Sequence, residues 1–241
     1  MRGRTRRSRS FALFGGLFAA FVAANAAAQS EDDGPIDRRI FQRPHAVAQF
    51  DVGVLTLPGA PVCLRPGVCD RANPALLLSA WPLYRASKRL TVGAGLSITF
   101  APASNVHDGS GAAERSHSSN YFLAESTARY LPIVGRIFEA WLGATAGLVV
   151  VNDSFKIAHT APQQHYMGET GSSLATEGLT LGGALGAAWM LMPRLTLGGT
   201  VRGGGWWLPR HRATTALGDT ASLGGNVPFI GGGLMLSYSP G

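Results

Sequence analysis

Cysteine is nearly absent from this 241-residue chain, which has only Cys63 and Cys69. A metal site wants more thiols or histidines at ligand spacing, so the pair reads as a disulfide in preference to a metal centre. Charge is sparse as well, at 15% of residues. The basic excess is local: of 21 Lys and Arg, five (Arg2, Arg4, Arg6, Arg7, Arg9) stand in the first ten positions, where there is no acid. Without them 16 basic residues face 14 acidic ones, a net charge of +2, which lends nothing to a nucleic-acid reading. Long apolar runs are missing beyond residue 28, which excludes a transmembrane helix. Helical amphipathic periodicity is scarce. The glycine runs at 203–205 and 231–233 lack the following helix and lysine that a phosphate loop needs.

What is present begins with a targeting pattern. The basic start is followed by an apolar stretch from Phe11 to about Ala24 and by Ala26-Ala27-Ala28. A basic region, an apolar region and a small-residue cleavage site make a secretory signal peptide, here residues 1–28, with Gln29 the first mature residue. Residues 29–46 are polar and without period, a flexible N-terminal segment. Residues 47–241 form one further domain, and its pattern is that of strands.

Apolar residues alternate with small or polar ones over most of this region, the period of a β-strand. In 89–101, Leu90, Val92, Ala94, Leu96, Ile98 and Phe100 share one face, opposite Thr91, Gly93, Gly95, Ser97 and Thr99. Similar alternation marks 136–151, where Trp141 and Val149 interrupt it, and 178–191, 194–207 and 227–238. Segments 119–131 and 47–57 fit more loosely. Segment 75–84 fits least, because Leu76-Leu77-Leu78 does not alternate and Pro82 has no N–H for a ladder.

Connection lengths sort the eight strands into an architecture. Long connections at 58–74, 102–118, 152–177 and 208–226 alternate with short ones at 85–88, 132–135 and 192–193. The expectation is an all-β fold: an eight-stranded antiparallel up-and-down transmembrane β-barrel with four long extracellular loops and three short periplasmic turns. The apolar face points to lipid and the other face lines a narrow lumen that side chains fill. Lumen charges are then Asp51, Glu125, Arg129, Glu139 and Arg202, with Arg129 and Glu139 placed to meet across one short turn as an ion pair. Aromatics fall in two bands: Trp81, Tyr84, Tyr130, Phe138, Trp189 and Tyr238 near the short turns, and Phe100, Phe122, Trp206 and Trp207 near the long loops. In the oxidising compartment beyond the inner membrane, Cys63 and Cys69 read as a local disulfide around Pro66-Gly67.

From residue 47 to 238 the pattern resembles the OmpA/OmpX-like family of small outer-membrane barrels. The last strand, Gly231-Gly-Gly-Leu-Met-Leu-Ser-Tyr238, is similar to the C-terminal signal read by the barrel-assembly machinery, although Ser239-Pro240-Gly241 follow the aromatic. The resemblance implies an outer membrane of the Gram-negative type, outer-membrane lipid and the assembly machinery as partners, and no cofactor, nucleic acid or metal. A separate stretch, His117-Ser118-Ser119-Asn120, resembles the His-x-Ser-Asn of the lipid A deacylases, in which the His is a base, the Ser a nucleophile and a Glu orients the His. Glu125 is too far along the same strand to be that third member, and Glu139 is near the opposite rim. His107, His117, His159, His165 and His211 all fall in expected loops, without ligand spacing.

Three functions follow as expectations. The first is a non-enzymatic outer-membrane barrel with a filled lumen, structural or in contact with surfaces through its loops, its ligand unspecified. The second is a lipid A-modifying hydrolase using His117 and Ser119. The third is a soluble lipocalin-like binding barrel with its faces inverted.

Overall fold

A computed structural model describes residues 44–65, 68–102, 104–106, 115–157, 171–215 and 219–240. The expected signal peptide, nearly all of 29–46, and His107, His159 and His165 lie outside these. The strands are β1 (His45–Thr56), β2 (Pro61–Arg65), β3 (Val68–Arg71), β4 (Ala75–Ser87), β5 (Leu90–Phe100), β6 (Ser104–Val106), β7 (Arg115–Val134), β8 (Phe138–Ile157), β9 (Gly171–Met192), β10 (Leu195–Trp207) and β11 (Asn226–Tyr238). Among the described residues no helix is long and apolar enough to cross a membrane.

Eight of these strands form a ring. Each pairs antiparallel with its chain neighbour in the series β1, β4, β5, β7, β8, β9, β10, β11, and β1 also pairs with β11. At belt depth closure pairs each strand on both sides, so backbone groups there are satisfied without water. The eight strands read from the sequence are all present. The remaining pieces sit at the end carrying the long connections, here the outer end. There β2 and β3 make a separate hairpin, closed by the Cys63–Cys69 disulfide, and β6 extends the ladder along β7.

The ring is not even in height. β7, β8 and β9 have 20, 20 and 22 residues, against 11 to 13 in the other five. The sequence places the outer ends of these three strands up to seven residues too early. Alternation does continue past those points, but most residues there are polar and the few apolar ones, such as Phe155, point inward, so the hydrophobic signal is weak.

Outward-facing side chains make an apolar belt that includes Phe50, Val52, Leu78, Leu142, Leu185 and Leu234, each more than a third exposed. So continuous an exposed apolar surface is one that hydrocarbon solvates. Tyr84, Tyr130, Trp189 and Tyr238 border it on the short-turn side, and Phe100 and Trp207 on the outer side, all exposed. Two aromatics assigned to these bands point inward instead: Trp81 and Trp206 are buried. Trp81 has room because its partner strand carries Gly95, where a Cβ would stand 2.2 Å from the indole. The facing of β4 is thereby fixed, with Leu77, Ser79, Trp81, Leu83 and Arg85 inward and Pro82 outward.

The interior has two layers. At belt depth it is polar, with Gln49, Asp51, Glu125, Arg129 and Arg202 among its buried residues. Toward the outer end it becomes an apolar core containing Leu55, Leu77, Tyr121, Leu123, Val149, Trp206 and Phe229. Trp206 stacks on Phe229 at 5.6 Å and meets Tyr121 edge-on at 5.2 Å. Leu57, Ala60, Leu208 and Leu223, from the long connections after β1 and β10, complete this core from above.

Candidate functional site

The first candidate is the belt-depth layer of charge. Arg202 pairs with Glu125, and Thr180 Oγ1 donates to the other carboxylate oxygen at 3.5 Å. Arg129 donates to Gln49 Oε1 at 2.6 Å, and Gln49 in turn donates to Asp51 at 2.8 Å. The Arg129 guanidinium also lies 4.1 Å from the ring centre of Trp141 and 5.7 Å from that of Trp81. Buried charges need partners of this kind, since an unpaired ion in a dry interior costs several kcal/mol.

The expected pair between Arg129 and Glu139 does not form. The turn between β7 and β8 falls at 135–137 rather than around Val134, so Glu139 faces Val134, while Arg129, beyond a register shift between Tyr130 and Ile133, faces Gly143. Glu139 instead accepts from Arg85 at 2.7 Å, across the lumen. Arg85 belongs to β4, whose length the leucine run and Pro82 obscure in sequence. The arrangement holds the barrel interior together. It presents no nucleophile beside a base.

The second candidate lies at the outer end, above the belt. His117 and Ser119 sit two residues apart on the inner face of β7, and Asp153 faces Ser119 directly from β8. Ser119 Oγ donates to Asp153 Oδ1 at 2.7 Å, His117 Nε2 is 2.9 Å from that same oxygen, and Ser119 Oγ is 3.2 Å from Nε2. The other carboxylate oxygen accepts the Ser222 backbone N–H at 2.8 Å. His117 packs on Phe155 at 4.8 Å. All three members of the triangle are at most 5% exposed.

A carboxylate therefore does join His117 and Ser119, and it is neither Glu125 nor Glu139. Asp153 escapes a sequence reading because the apolar alternation of β8 ends at Val151. Continuing the inward period through Val149 and Val151 reaches it in one step. The order of bonds differs from a catalytic relay. There, one histidine nitrogen takes the serine proton while the opposite nitrogen donates to the carboxylate. Here both contacts fall on Nε2, and the serine proton is directed to the carboxylate. The triangle is closed on itself and faces the barrel interior.

Of the five histidines singled out, His117 lies in a strand and His211 is exposed in the connection after β10. Among the described residues no group of three or more His, Cys, Asp or Glu is placed to hold a metal ion.

No family model and no curated protein matches the chain. Solved structures do resemble it. Neisserial surface protein A is 11% identical, with 82% of this chain and 97% of that one covered and a TM-score of 0.49. A major outer membrane protein from Thermus thermophilus is 14% identical, with 80% and 99% covered and the same TM-score. The outer membrane protein OprG from Pseudomonas aeruginosa is 15% identical, with 83% and 98% covered and a TM-score of 0.39. These likenesses concern the barrel fold, whose assignment rests on the ring closure and outward belt described above.

Proposed function

We propose that this protein is an exported outer-membrane barrel without enzymatic activity, its lumen filled. Its role is structural or one of surface contact through its outer loops. The observation that carries this reading is the arrangement of faces at belt depth. Apolar side chains point out, and the buried charges inside are held by hydrogen bonds and ion pairs, which supports a filled lumen. The basic and apolar stretch in residues 1–28 supports export. The alternating last strand, closing on Tyr238, suits insertion by the assembly machinery.

Envelope fractionation with boiled and unboiled gel samples tests this. A faster unboiled band in the outer-membrane fraction, with no conductance in planar bilayers, is the expected result. Recovery as a soluble periplasmic protein that does not shift on boiling would overturn the reading in favour of the lipocalin-like alternative. Steady conductance would show that the lumen is not filled.

One observation favours a second reading, a serine hydrolase acting on acyl esters of lipid A: the convergence of His117, Ser119 and Asp153. Its chemistry requires His117 to turn so that Nε2 is free to take the Ser119 proton while Asp153 holds Nδ1. Labelling of purified protein by a fluorophosphonate, lost in Ser119→Ala, together with Ser119-dependent release of fatty acid from lipid A, would establish it. Absence of both would exclude it.

A further inference from the structure

The outer mouth is covered by two segments that hold each other. One is the β2–β3 hairpin. The other comprises residues 208–215 and 219–225, tied to each other by Leu208 N–H to Gly225 C=O at 2.8 Å and Ala221 N–H to Ala213 C=O at 2.9 Å. Four bonds join their described residues: Arg212 Nη2 donates to Pro61 C=O at 3.5 Å, and the other three end on Cys63. Cys63 N–H donates to Ser222 C=O at 3.0 Å, while Cys63 C=O accepts Arg212 Nη1 at 3.0 Å and Thr220 Oγ1 at 3.3 Å. Ser222 then passes the connection on to the barrel wall, because its N–H is the donor to Asp153. A second wall contact runs from Ser172 Oγ on β9 to Asp219 at 2.8 Å. Beneath the cover, Leu223, Leu57 and Ala60 seal the apolar core.

The residue that anchors this cover is half of the disulfide. The hairpin has only four paired positions, and so short a ladder is marginal in water without further support. Cys63 is partly buried, whereas Cys69 is exposed and open to attack. We propose that the Cys63–Cys69 disulfide locks a lid over the outer mouth of the barrel, and that a dithiol reductant unlocks it.

In that reaction a thiolate of the reductant attacks the exposed Cys69 sulfur, and Cys63 leaves as a thiolate and takes up a proton. The reductant's second thiol then displaces Cys69 and closes the reductant's own disulfide. The protein bond gains two electrons and two protons, and the dithiol loses them. Once the hairpin is free to fray, Cys63 no longer holds its backbone N–H and C=O in place. Residues 208–215 and 219–225 keep only their wall contacts, and the apolar core becomes accessible from outside.

Hydrogen exchange on the full chain in micelles, with and without dithiothreitol, tests this. Peptides covering 208–225 are expected to exchange on the order of a hundredfold faster after reduction, from the loss of the hydrogen bonds to the hairpin. Peptides from β10 and β11 are expected to stay protected, and the unboiled gel band to persist. A Cys63→Ser/Cys69→Ser double variant should match the reduced protein without any reductant. Asp153→Ala with the disulfide intact should speed exchange at Ser222 but not across 208–225. The proposal is overturned if exchange is unchanged once both thiols are shown to be free. It is equally overturned if reduction unfolds the barrel itself, or if Asp153→Ala alone frees the whole segment.

Discussion

The lower and upper parts of β8 obey opposite rules. From Leu142 to Val150 its outward residues are Leu142, Ala144, Ala146, Leu148 and Val150, while Gly143, Thr145 and Gly147 point in. Above that, the outward residues are Asn152, Ser154 and Lys156, and the inward ones include Val151 and Phe155. β7 behaves alike: Phe122, Ala124 and Ala128 face out opposite Glu125, Thr127 and Arg129, and further up Ser118 and Asn120 face out opposite Tyr121. The side-chain alternation is unbroken, but its hydrophobic sense reverses near Phe122 and Val150. What reverses is the solvent. Where lipid surrounds the wall, the apolar face is outside, and where water does, the same wall buries its apolar face as any soluble protein would. One strand thus serves a membrane barrel at one end and a capped aqueous core at the other.

Substitutions can test how separate the two halves are. The largest effects are expected inside. Trp206→Ala should remove about 3–5 kcal/mol by emptying the centre of the upper core. Glu125→Ala should cost about 3–5 kcal/mol in the lower layer, because it leaves Arg202 buried without its carboxylate. Urea unfolding in micelles measures both. If the halves are independent, the double variant will show the sum of the two losses, whereas a smaller loss would join them into one core. Next comes the outward face: Ala146→Arg, at belt depth, should cost about 2–4 kcal/mol and weaken the unboiled band. Gly95→Ala should cost about 1–3 kcal/mol, since the new methyl meets the Trp81 ring. Smallest is Asn152→Arg, on the same face of β8 as Ala146 but above the belt. It should stay within about 0.5 kcal/mol. A cost there equal to that of Ala146→Arg would erase the distinction between lipid and water on which the comparison rests.

The lower half was legible in the sequence, because alternation of apolar with small residues is strong there. Arg89 to Phe100 could be faced correctly from the residues alone. Trp141 and Val149 looked like interruptions only because an inner face was expected to be polar. Both point inward: Val149 packs in the upper core opposite Leu123, and Trp141 fills space opposite Gly186, where a Cβ would stand 2.6 Å from its ring. The upper half was largely hidden. His117 and Ser119 could be picked out as a motif, but their carboxylate partner is set by the β7–β8 register, which depends on one shift between Tyr130 and Ile133, inside the strands. Arg129 and Glu139 are kept apart by a turn at 135–137 rather than one centred on Val134. No local pattern announces either feature, since Pro132 suggests a turn in the sequence but lies within β7.

The seam of the ring joins the first strand to the last, with Ala48 opposite Tyr238, 190 positions later. Every other junction in the wall is a hairpin between chain neighbours and can form as its residues arrive. This one cannot. Until β11 is in hand, β1 presents a full row of free N–H and C=O groups next to an apolar face, the combination that invites pairing with the wrong chain. A contact so distant in sequence is also slow to find. The nascent protein therefore faces its greatest hazard in transit, before it meets lipid, and a missing or mutated last strand should reveal itself as aggregation rather than as a weakened barrel.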